Sequence, residues 1–204
     1  MVANIPGLTE GMVNASVQSN VIALRPFREE LEELVYASVK LVQLSATVGY
    51  KHRKLISIVS NIGEIAAKVT PCKKGCSHCC KMAVAMTSYE ANVIGNHIGV
   101  PPAPVVTDLN NLESFAEEHI GKPCPFLKKS ECSIYEVRPI ACRTHFNLSS
   151  YPALCDLIDH PGNSVPNLNL NTLWNAQMQI YAADSEFGDI RDFFPDGART
   201  VQSL

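Results

Sequence analysis

The sequence predicts a mainly α fold: a small helical domain with a cysteine-ligated metal centre carried on loops. Three observations point there. Apolar residues recur at spacings of three and four over several stretches, almost no stretch sustains the alternation of a half-buried strand, and eight cysteines break into the helical pattern, four of them within residues 72–80. At 204 residues the chain can bury a sizeable core as one domain. That domain is expected over 23–204, preceded by an N-terminal arm at 1–22, with the motif core at 70–146.

Residues 1–22 mix Pro, Gly, Asn and Ser with scattered valines and read as an extended or loosely attached arm. From Pro26 the pattern turns helical. Phe27, Leu31, Leu34, Val35, Val39 and Val42 form a stripe, and Arg28, Glu29, Glu30, Glu32 and Glu33 occupy the opposite face. A second stretch, 54–69, places Leu55, Ile58, Ile62, Ile65 and Ala66 on one side. Gly49 is a candidate break between the two, and one long helix is the alternative. After the cysteine run, Thr87-Ser-Tyr-Glu90 is a capping box that opens a helix to about Ile98. Pro101, Pro102 and Pro104 stop it. Another amphipathic helix is expected at about 108–120, then loop from 122 to 160. A last helix at about 170–184 turns Leu173, Trp174, Met178 and Tyr181 inward, and residues 192–197 read as a surface turn folding back.

Composition narrows the function classes. Hydrophobic residues make up 46% and the net charge is −3, with both signs mixed along the chain. Nucleic-acid and anionic-membrane binding both call for a basic surface, so neither partner is expected. No stretch approaches the roughly 20 apolar residues of a membrane span. The opening Met-Val-Ala-Asn-Ile-Pro-Gly lacks the basic and apolar regions of a secretory signal, so a cytoplasmic setting with reduced thiols is expected.

In that setting thiols at this density indicate metal or redox chemistry. The candidate ligands are Cys72, Cys76, Cys79, Cys80, Cys124, Cys132, Cys142 and Cys155, the last being the readiest bystander. Thiolates are soft donors that suit zinc and iron–sulfur centres. On a straight helix Cys72 and Cys80 would share a face yet sit about 12 Å apart along the axis. Sulfurs around one zinc lie within about 4 Å of each other. Either Gly75 bends the segment or the thiols divide between centres, and a multi-iron cluster eases the constraint. Arg138 and Arg143 flank Cys142 as candidate cofactor-binding groups, able to offset thiolate charge or hold an anionic ligand; pairing with Glu136 is the alternative. Tyr135 is expected as a packed ring. His78 and His145 could each replace a thiol, while His52, His97, His119 and His160 are expected at the surface. No residue stands out as catalytic.

The run Cys76-x-x-Cys79-Cys80, with Cys124-Pro-Phe-Leu127, Cys132-x-Ile134-Tyr135-Glu136-x-Arg138-Pro139 and Cys142-Arg143, resembles the CxxCxxCC cysteine-cluster family, a zinc- or iron-chelating domain. The resemblance covers about 70–146. Three residues separate Cys72 from Cys76, where the family name has two. The resemblance implies metal bound by these cysteines, as an iron–sulfur cluster or zinc. Through a distantly similar flagellin lysine methylase it also implies an enzyme alternative, S-adenosylmethionine-dependent methyl transfer to a protein substrate. Cys72-x3-Cys76-x2-Cys79 also matches the three-cysteine signature of radical S-adenosylmethionine enzymes, but the strand–helix alternation of their barrels is missing.

Overall fold

The computed structural model describes residues 5–105, 118–157, 164–181 and 186–197. Its first helix is set by Thr9, whose hydroxyl accepts the Met12 N–H at 3.2 Å and opens α1 (Glu10–Leu24). Residues 10–24 are therefore helical, where an extended or loose arm was expected. Only Val13 and Leu24 of α1 are buried. Polar contacts hold the rest down: Asn20 Nδ2 donates to the Leu148 carbonyl at 2.8 Å, and the Ser16 and Ser150 hydroxyls meet at 3.0 Å.

One 3-10 turn leads into α2 (Arg28–Gln43). The chain then extends at Leu44, and Thr47 caps α3 (Val48–Ala66) through the Tyr50 N–H. The two expected stretches are thus separate helices, and Gly49 lies inside the second. Leu55, Ile58, Ile62, Ile65 and Ala66 are all buried as expected. The α2 stripe is only half-buried; the helix's buried residues, Ser38 and Leu41, lie outside it.

β1 (Ala85–Thr87) runs into α4 (Ser88–Ile98), and the Thr87–Glu90 capping box forms in full. Gly99, at φ +72°, ends α4 just ahead of the prolines. The helix expected at 108–120 lies mostly outside the described residues. Next come a two-residue hairpin, β2 (Leu127–Lys128) and β3 (Glu131–Cys132), then α5 (Ile140–Thr144) and α6 (Asn171–Tyr181). Lys129 and Ser130 both take positive φ, as the right-handed twist of a tight hairpin demands. Finally β4 (Phe187–Asp189) pairs antiparallel with β1, Met86 opposite Gly188, and α7 (Ile190–Phe193) follows. Among the described residues these two small ladders are the only sheets, so the fold is mainly helical.

Two cores result. α2, α3 and α6 pack around Leu55, Ile62, Leu173 and Ile180, with Ile140 and Phe146 closing one end. The second core gathers Met86, Ile94, Phe126, Ile134, Ile190, Phe193 and Phe194. The tail expected as a surface turn supplies part of it: Phe193 and Phe194 are buried, and Phe194 meets Phe126 edge-on at 5.3 Å. Met178, expected to face inward, is 40% exposed; Gln177 takes the inward place beside Glu90.

His52 also departs from expectation, since it is half-buried against Tyr181. Its Nδ1 lies 2.6 Å from the Tyr181 hydroxyl, whose pKa burial pushes up, so the phenol donates and neutral His52 accepts. Burial first, then Arg143 and Arg53, lower the His52 pKa to about 4. A depressed imidazole pKa means the unfolded chain takes up the proton first as pH falls. The associated stability is full above pH 6.5 and is lost towards pH 4, by about 2 kcal/mol after allowing for solvent screening. Urea midpoints across that range should fall less steeply in His52→Gln than in the parent.

Candidate metal centre

The cluster begins where α3 runs out. The Thr70 hydroxyl bonds the Ala66 carbonyl at 2.9 Å and the chain leaves the helix towards Cys72. Gly75 then takes φ +90°, a conformation that penalises any Cβ, and Cys76 N–H turns back onto the Lys73 carbonyl at 3.0 Å. Residues 72–77 are therefore a bend rather than a straight helix, and a single 3-10 turn, His78–Lys81, presents Cys79 and Cys80. The later thiols arrive by a backbone clasp: Cys124 N–H donates to the Cys80 carbonyl at 2.7 Å. The hairpin sets Cys132 opposite Leu127, and α5 carries Cys142.

Seven thiols consequently line one cavity of about 100 Å³: Cys72, Cys76, Cys79, Cys80, Cys124, Cys132 and Cys142. Tyr135, Arg138 and His145 share its wall. All eight cysteines are free of disulfides. The thiols surround a space without closing on one point, since among the described residues no group of three or more His, Cys, Asp or Glu is placed to hold a single ion. Two packing environments divide them. Cys72 rests on the α2–α3–α6 core, whereas Cys124, Cys132 and Cys142 rest on the second core. Cys155 is buried just outside the cavity wall. Asn147 joins it to Cys72, giving its backbone N–H to Cys72 Sγ at 3.3 Å and its side-chain amide to Cys155 Sγ at 3.6 Å.

Burial keeps most of these thiols protonated. Cys142 is pushed well above the thiol range by burial and then by Cys124, Cys80 and Cys132 around it. Cys124 rises to about 12 from burial. Cys80 moves the other way, to about 7, because the Cys79 thiol donates to its sulfur and the Arg191 and Arg138 guanidinium groups favour the thiolate; Cys79 rises correspondingly. Of this pair Cys80 ionises the more readily, and the buried thiols around it need a cation to displace their protons.

Arg138 stacks over the Tyr135 ring at 3.7 Å, which makes Tyr135 the packed ring expected. Arg143 donates from Nε to the Arg138 carbonyl at 2.9 Å and from Nη2 to the Glu136 carbonyl. Its contact with Glu136 is thus to backbone, not the carboxylate pair that was the alternative. His145 reaches the cavity and lies 3.9 Å from Cys155 Sγ, whereas His78 turns to Asp156 at 3.8 Å. His97 is exposed as expected, but His119 is buried beside Asp192; His160 lies outside the described residues.

Two supporting residues escaped the sequence. Arg191 is buried, ion-paired to Asp189 at 2.8 Å, and donates to the carbonyls of Lys122 and Met82. The Asp189-x-x-Asp192 capping box around it was the available signal. Asn147 had no signal beyond its nearness to Cys142.

The donor chemistry of this cavity, soft thiols on a partly apolar wall with guanidinium groups beside them, fits zinc or iron. Residues 71–160 match the family model described as "CxxCxxCC: Putative zinc- or iron-chelating domain". No curated protein and no solved structure gives a significant match. The match supports zinc or iron chelation through the cysteines, with a metal ion as the protein's partner. Among the described residues no helix is long and apolar enough to cross a membrane.

Proposed function

With the CxxCxxCC domain at 71–160 as the premise, we propose that the protein holds an iron–sulfur cluster in its cysteine cavity, zinc being the competing occupant. The observation that carries this reading is seven thiols lining one cavity, more than the four that a closed zinc site uses. Tetrahedral zinc asks for four donors within about 4 Å of each other, whereas several irons spread the same donors apart. The ligands are drawn from Cys72, Cys76, Cys79, Cys80, Cys124, Cys132 and Cys142. Cys124, Cys132 and Cys142, each pushed up by burial and then by the nearby Cys80, form the inner set with Cys80, and Cys155 stands outside it. A bound cluster supplies electron transfer or an electrophilic iron. The chain itself contributes charge balance through Arg138 and Arg191 and excludes water behind Ile134, Phe146 and Ile190. Eight unpaired thiols go with a reducing, cytoplasmic setting.

Anaerobic purification tests this. The expected product is coloured, with broad absorption near roughly 400 nm and iron and sulfide bound to each chain. A colourless protein with stoichiometric zinc overturns the cluster and leaves chelation standing; a protein with neither metal overturns both.

A catalytic version, S-adenosylmethionine-dependent methyl transfer to a protein lysine, is supported by the surplus of thiols over one closed four-ligand site. Label transfer from methyl-labelled S-adenosylmethionine to protein lysine by the loaded protein is its test.

A further inference from the structure

A second cavity of about 350 Å³ adjoins the cysteine cavity and shares Arg138 and Pro139 with it. Its size falls in the range of small-molecule sites. Three guanidinium groups reach it from different elements: Arg53 from α3, Arg138 from the loop before α5, and Arg143 from α5 itself. We propose that this cavity binds a small oxyanion ligand, a carboxylate or phosphate compound, between Arg53, Arg138 and Arg143.

Charge balance is the first support. Among the described residues the ion pairs involve other groups, and no carboxylate lies within 4 Å of any of these three. Two carboxyl groups do face the cavity. Glu90 is buried, its acidity weakened by burial, and its oxygens already accept from Thr87, Ile140 N–H and Gln177. Glu136 is exposed and too far to pair. His52 is held neutral and adds no charge. An anion would satisfy what these leave open.

Geometry is the second. Arg143 is fixed by its two bonds to backbone carbonyls, and Arg138 by its stack on Tyr135. Guanidinium groups held this way lose little entropy on binding a planar oxyanion. Arg138 Nε is buried with no hydrogen-bond partner, a donor that lacks an acceptor. The third support is Gly49. A helical glycine costs stability relative to alanine, yet one sits in the first turn of α3. A Cβ there would come within 3.3 Å of the Tyr89 hydroxyl, a tight approach, and 3.7 Å of Arg53 Nη1, an ordinary contact, so alanine would narrow the space beside the guanidinium. The proposal does not depend on which metal occupies the cysteine cavity.

Calorimetric titration of the metal-loaded protein with inorganic phosphate, and separately with citrate, tests it against chloride at equal ionic strength. One or both should bind with a millimolar or tighter dissociation constant, and whichever binds more tightly names the chemistry. Arg53→Ala and Gly49→Ala should each weaken that binding about tenfold or more, with metal per chain unchanged. Binding no stronger than chloride, or equal binding in both variants, overturns the proposal. Metal content is read on the same samples, so a failed metal centre is told apart from a failed anion site.

Discussion

Serine at Cys142 should leave the purified protein with little bound metal. The side chain sits on the second core among Cys80, Cys124 and Cys132, and burial with those neighbours holds its proton firmly. A metal cation is what makes the thiolate affordable there, and a serine hydroxyl offers neither the soft sulfur nor the accessible anion. Structural zinc contributes about 10–16 kcal/mol over four ligands, so one ligand is worth about 3 kcal/mol, more than a hundredfold in affinity. Elemental analysis of Cys142→Ser beside Cys155→Ser reads this directly. Cys155→Ser should keep the parent's metal, because that thiol lies outside the cavity wall. Unchanged metal in Cys142→Ser would remove Cys142 from the ligand set.

Arg191→Met should destabilise the protein by about 4 kcal/mol, the scale expected when one partner of a buried ion pair is removed. Asp189 is fully buried; it accepts from Val84 N–H and Arg191 N–H, and lies 2.8 Å from the Arg191 guanidinium. Without Arg191 that carboxylate loses its guanidinium partner, and the carbonyls of Lys122 and Met82 lose their donor. Those two carbonyls belong to the two segments that bring Cys80 and Cys124 together. The damage should therefore reach the metal: Cys80 loses one of the charges that ready its thiolate. Urea unfolding gives the first effect and metal uptake rate the second. Arg191→Lys, which keeps the charge but not the planar fork, should fall between.

The helices with a one-sided apolar stripe were legible because burial imposes the 3.6-residue period: α3, α4 and α6 lie within a few residues of where the spacing put them. α1 was not, since no stripe marks it and a threonine cap with two polar tethers holds it. The β1–β4 ladder joins residues a hundred positions apart over three pairs, too short to leave a period. At the cluster, spacing left two readings open, a bend at Gly75 or thiols divided between centres, and the chain does bend at Gly75. What spacing could not supply was the wall behind the thiols. Asn147 and Arg191 act through distant backbone, and their partners are set by tertiary folding rather than by neighbours in sequence.

The clasp between Cys80 and Cys124 joins two stretches that are otherwise far apart along the chain. An inorganic core bound there acts as an intrachain tether, lowering the entropy of the disordered ensemble as a covalent staple would. Folding then becomes coupled by mass action to metal supply. Limited proteolysis with and without a chelator reads this, cleavage within residues 72–82 and 121–139 being expected to rise once metal is removed.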